Sequence, residues 1–197
     1  MDYSMEILDF PKGLLYGKIE TLAKPHYKPS GQNSWEHIQQ VYTQAAKCLR
    51  FAENRDMTPV EFAAILYHDS SVKDHATKDR HNIYGAEIAR KDLALLFSDD
   101  ELEIICQAII EHDDNAENTW STPASDLLAS GDFNPPDLAW TLNKSYTWGI
   151  SHGLPHQQRI QNTLAVMPKK YGSKGDVIYP HYYKTYYGKK LKELEKP

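Results

Sequence analysis

The chain has 197 residues, 41% of them hydrophobic, and a formal net charge of -5. That length can bury one sizeable core and argues for one compact domain with an appended C-terminal segment, while the negative balance excludes a field suited to gripping long nucleic acid. No run reaches the roughly 18 apolar residues of a bilayer span, and the start MDYSMEILDF carries acids where a signal peptide carries bases, so the expected location is the cytoplasm, with no membrane partner.

Residues 1–33 hold Pro11, Gly13, Gly17, Pro25, Pro29 and Gly31, which break any long periodicity and predict an N-terminal extension with a short helix at most. From Asn33, a candidate cap with Glu36 at the third position, Ile38, Val41, Tyr42, Ala45 and Leu49 recur at helical spacing, and His37 sits in the first turn. Thr58, Pro59 and Glu61 open a second helix whose stripe of Phe62, Ile65 and Leu66 runs into Tyr67, His68 and Asp69. A third is expected over about 81–97, beginning at His81, with Ala86, Ala89, Leu93 and Leu96 on one face.

Ser98 and Glu101 form another capping box, and the helix after it places Leu102, Ile105, Ile109 and His112 on one buried side. After a polar loop, Thr122 and Pro123 start a short helix through Leu127 and Leu128, which Gly131 is expected to terminate just before Asp132. Further helices are expected near 136–148, 156–167 and 180–195, and no strand pattern stands out. The reading is an all-α domain over 34–150, with a helical extension over 151–197 packed on it. Cys48 and Cys106 fall in amphipathic patterns and read as small buried hydrophobes.

His37, the pair His68 and Asp69, His81, His112 and Asp132 thus lie at the ends or on the buried faces of successive helices. Burying imidazoles and carboxylates among Leu and Ile is costly unless each finds a partner, and a divalent cation satisfies them together. Such a mixed donor set suits Mn, Mg, Fe, Co, Ni or Zn without choosing among them, for one or two ions per chain. Asp126 is a rival for the last position, but precedes Leu127 and Leu128 rather than following them.

The segments SWEHIQQVYTQAAK, AAILYHD and DLLASGD, in that order, resemble the HD superfamily of metal-dependent phosphohydrolases, and the likeness spans roughly residues 34–150. HNIYGAEIAR and AIIEHDD resemble the segments that supply two extra histidines in members holding two metals. The resemblance implies that His37, His68, Asp69 and Asp132 bind a first metal, that Asp69 bridges to a second, and that His81 and His112 complete it. It also implies hydrolysis of a phosphate ester or anhydride of a small molecule, with a nucleotide as leading substrate class.

Two branches of that family place an acid three or four positions after the doublet for proton transfer, where this chain has Val72 and Lys73. Asp74 is the nearest substitute acid or base, and Lys73 resembles the lysine that other branches carry shortly after the doublet. Lys78, Arg80 and Lys144 are the expected phosphate partners and Trp35 a candidate contact to a base or sugar. Two alternatives stay open at this point: a di-iron oxygenase on the same scaffold, and a metal-dependent nucleotide sensor without catalysis. A homo-oligomer is compatible with either. His26, His75, His152, His156 and His181 read as solvated or packing residues, and the segment YPHYYKTYYGKK as rings packed on the domain rather than a nucleobase platform. The end KKLKELEK reads as a solvated helix face.

Overall fold

The computed structural model describes residues 6–28, 34–71, 80–112, 120–171 and 177–194. The fold is all-α, and the described residues contain no strand, only a single bridge between Lys28 and Ser34. The chain divides into two compact units, one made of residues 1–133 with 180–185, the other of 134–179 with 186–197.

In the first unit, α1 (Leu14–Ala23) runs into a short 3-10 turn over Lys24–His26 and packs on α3 (Pro59–Tyr67). Ile19 and Ala23 are its buried residues, and the Tyr16 hydroxyl donates to the Met57 carbonyl at 2.8 Å. Between them lies α2 (Trp35–Glu53), whose cap is Ser34 rather than Asn33: its side chain accepts from the backbone N–H of His37. Asn33 itself lies outside the described residues. The helix ends where Asn54 turns left-handed at φ 53°.

The N-terminus of α3 is a full capping box between Thr58 and Glu61, and Glu61 also pairs with Arg55 at 2.6 Å. Every residue from Glu61 to Tyr67 is buried, which makes α3 the central element. Then come α4 (His81–Leu93) and α5 (Asp99–Glu111), which pack on each other and on α3. The expected helix over 81–97 stops at Leu93: Ser98 must be extended to cap α5, and a turn closed by the Leu96 N–H on the Leu93 carbonyl leads into it.

The sixth helix, α6 (Pro123–Asp132), packs against α2, α3 and α5. Gly131 does not end it, contrary to the sequence expectation, because Phe133 is the C-terminal cap and Gly131 sits inside the last turn. Its lack of a side chain serves packing instead: a Cβ there would lie 2.6 Å from the Val41 carbonyl oxygen of α2.

The second unit contains α7 (Leu138–Ser151) and α8 (His156–Tyr171), which pack together, and most of α9 (His181–Leu194). Within it Thr141 and Tyr171 share a buried hydroxyl hydrogen bond at 2.9 Å, and the Tyr146 hydroxyl meets His156 Nδ1 at 2.8 Å. The start of α9 belongs to the first unit, where Tyr183 is buried against Phe133 and the Tyr182 hydroxyl bonds Glu53. Those rings pack on the domain. No helix of the described residues is long and apolar enough to cross a membrane.

Candidate metal centre

Five helices of the first unit deliver six ligand-type side chains to one place. His37 comes from the first turn of α2, His68 caps the C-terminus of α3 with Asp69 next, His81 opens α4, His112 caps the C-terminus of α5, and Asp132 is the last residue of α6. Three overlapping triads, His37/His68/Asp69, His68/His112/Asp132 and Asp69/His81/His112, each offer ligand atoms within 4.8 Å of one another.

His37 Nε2 lies 3.3 Å from Asp132 Oδ1 and 3.6 Å from Asp69 Oδ2. His68 Nε2 lies 3.6 Å from Asp69 Oδ2 and 3.9 Å from Asp132 Oδ1. The other oxygen of Asp69, Oδ1, faces His81 Nε2 at 3.6 Å, so this carboxylate divides its two oxygens between two groups of histidines.

The local fold also fixes how the imidazoles present themselves. His68 Nδ1 is 2.8 Å from the Ile65 carbonyl and His112 Nδ1 is 2.6 Å from the Ile109 carbonyl, each three residues back at a helix C-terminus. A carbonyl oxygen can only accept, so both Nδ1 atoms carry the proton, and a ring in its neutral form turns a bare Nε2 lone pair inward. Burial and the neighbouring His68 hold the His112 pKa below the usual histidine value, which favours that neutral form. Partial burial would raise the Asp132 carboxyl, but the hydrogen bond from His37 and the surrounding histidines outweigh it and hold its pKa below the usual carboxylate value.

One nitrogen of the cluster, the fully buried His68 Nε2, has no hydrogen-bond partner among the described residues. His81 Nε2 and His112 Nε2 approach to 3.3 Å, where an Nε2–H of His81 can donate to the His112 lone pair. A divalent cation would give His68 Nε2 its missing partner. Metal bonds of about 2.1 Å separate neighbouring ligands by roughly 3.0–3.4 Å, close to the approaches found here.

Side-chain hydrogen bonds to backbone carbonyls tie the ligand-bearing ends together. The Ser71 hydroxyl donates to the His81 carbonyl at 2.7 Å, and the Asn82 amide donates to the Ile110 carbonyl at 2.8 Å. Gly85 lets α4 approach the end of α3, where an added Cβ would stand 3.1 Å from the carbonyl oxygens of Tyr67 and His68.

The other residues nominated from sequence divide three ways. Lys73, Asp74, Lys78 and His75 lie outside the described residues. Arg80 is exposed beside α4 with its guanidinium over the Tyr84 ring, and Lys144 is on α7 in the second unit. Trp35 packs edge-on against Phe10 and beside Tyr27, under the Lys24 ammonium. Asp126, the rival ligand, accepts the N–H groups of His181 and Tyr182 at 2.7 and 2.9 Å and so caps α9. His26 pairs with Asp92 at 2.7 Å, and His152 stacks on Trp148.

Sequence reading passed over Gln44, a buried amide on the core side of α2 that reaches the carbonyls flanking Asp132. A polar residue two turns after His37 and next to Thr43, Ala45 and Ala46 was the available signal. A separate cavity of about 330 Å³, walled by Phe10, Tyr16, Tyr42 and Arg50 among others, shares no lining residue with the cluster. No protein-family model, curated protein or solved structure matches the chain.

Proposed function

We propose that the chain is a cytoplasmic, metal-dependent phosphohydrolase of the HD type, acting on a phosphate ester or anhydride of a small molecule, with a nucleotide as the leading substrate class. The observation that carries this reading is the buried His68 Nε2, which has no hydrogen-bond partner, faces two carboxylates and is flanked by His37 and His112. Leaving such a nitrogen unsatisfied costs about 1–3 kcal/mol, which a bound cation would recover.

His37, His68, Asp69 and Asp132 would hold one ion and Asp69, His81 and His112 a second. A divalent cation there supplies Lewis acidity toward a phosphoryl oxygen and acidifies a nearby water. The protein's own part is orientation. Asp69 points one oxygen each way, and the carbonyls of Ile65 and Ile109 lock two imidazoles with their lone pairs inward. His68, Asp69 and His112 are buried, while the partly exposed His37 and Asp132 mark the side from which a substrate would enter. Arg80 and Lys78 would neutralise phosphate charge, and Lys73 or Asp74 would handle the leaving-group proton.

The test is elemental analysis of wild type and Asp69→Ala, with phosphate release from a nucleotide panel in added manganese. One or two metals per chain and phosphate release, both lost in the variant, are expected. Metal without turnover would favour a nucleotide sensor, and no metal in either protein would sink the reading. The convergence of all six ligands also favours a second reading, a di-iron oxygenase. A coloured iron protein that consumes oxygen and releases no phosphate from the panel would replace the first with it.

A further inference from the structure

The last turn of a helix leaves carbonyl groups without intrahelical donors and a negative potential that disfavours a carboxylate. Asp132 stands at that unfavourable end of α6. Its backbone neighbours are nevertheless satisfied from another helix. The buried side chain of Gln44 on α2 donates through Nε2 to the Ser130 carbonyl at 2.7 Å and to the Phe133 carbonyl, one on each side of Asp132. Two carbonyl acceptors require the NH₂ end of the amide, so its orientation is fixed by chemistry.

The same helix carries His37 two turns earlier, and His37 Nε2 meets Asp132 Oδ1 at 3.3 Å. Between them, Val41 packs on Gly131, where even a methyl group would collide with the Val41 carbonyl. Thus α2 fixes Asp132 twice, by a side chain at its carboxylate and by an amide at its backbone.

We propose that Gln44 is a positioning residue of the metal centre, setting the place and tilt of Asp132 by bridging the carbonyls of Ser130 and Phe133; the inference rests on the metal-centre reading above. Residues outside the ligand shell that orient ligands commonly change metal affinity by about 10–100-fold.

The experiment is a Co²⁺ titration of the full chain, followed by visible absorption, on wild type, Gln44→Met, Asp132→Ala and the double variant. Cys48→Ala, which removes bulk from the same helix a turn beyond Gln44 at a residue outside the ligand triads, is the control. Gln44→Met should weaken Co²⁺ binding about tenfold, and Cys48→Ala should leave it unchanged. In the Asp132→Ala background the Gln44 change should add nothing, because its effect runs through that residue. Where circular dichroism finds Gln44→Met unfolded, Gln44→Asn, which keeps an amide but draws it back from both carbonyls, should show the same loss in reduced size. Wild-type affinity in the Gln44 variants, or losses that simply multiply with that of Asp132→Ala, would overturn the proposal. Absence of Co²⁺ binding by wild type would instead bring down the metal-centre reading itself, and this inference with it.

Discussion

Two histidines of the cluster are held by one local device: a histidine just past a helix end donates Nδ1–H to the carbonyl three residues back. His68 does this with Ile65 and His112 with Ile109. The device uses a carbonyl that the helix end leaves spare and turns Nε2 toward the centre. Because His68 Nε2 has no hydrogen-bond partner, the folded chain without metal carries an unsatisfied buried nitrogen. Manganese at about 100 times its dissociation constant should therefore stabilise wild type by about 2.7 kcal/mol in a thermal melt. Asp69→Ala and His68→Leu should gain little. Equal shifts in all three proteins would show that the ion acts elsewhere.

Among the elements, the α2 and α6 pair is fixed by a close approach that propensity alone misjudges. Replacing a mid-helix glycine by alanine ordinarily favours the helix by about 1 kcal/mol. At Gly131 the added methyl would lie 2.6 Å from a backbone oxygen, so Gly131→Ala should instead cost about 1–3 kcal/mol in urea unfolding. A stabilised variant would mean that the helices separate without penalty.

The start of α3 gives a pH-dependent counterpart. Burial would raise the Glu61 carboxyl, but Arg55 and the Thr58 cap outweigh it and hold its pKa below the usual value. A carboxylate lowered on folding contributes stability above its unfolded pKa and loses it as pH falls through the folded one. Glu61→Gln should therefore cost about 1.5–3 kcal/mol at neutral pH, with the gap closing below roughly pH 4. A penalty that stays constant down to pH 2 would contradict the ion-pair account.

At the scale of the molecule, the two units are interleaved in sequence, since residues 180–185 return to the first unit after 134–179 have built the second. Asp126 caps this returning helix, Ser130 Oγ accepts the Tyr183 N–H at 3.0 Å, and the Tyr183 ring is buried. Tyr183→Ala should thus destabilise the unit that carries the metal centre by about 3–5 kcal/mol, although it lies far from that centre in sequence. Calorimetry showing an unchanged transition for that unit would refute the assignment.

The sequence by itself determined the all-α class, most helix starts and the six residues that meet, because capping boxes and apolar periodicity are local and a buried His or Asp on an apolar face is conspicuous. Thr58 with Glu61 and Ser98 with Glu101 form the boxes their spacing predicts. Only the tertiary structure decided that Ser34 caps α2, that Gly131 is a contact rather than a stop, and that Gln44 braces Asp132. Each of these depends on a partner distant in the chain or on which of two adjacent candidates the backbone turns toward its helix. Spacing along one segment carries no record of the helix that will lie against it.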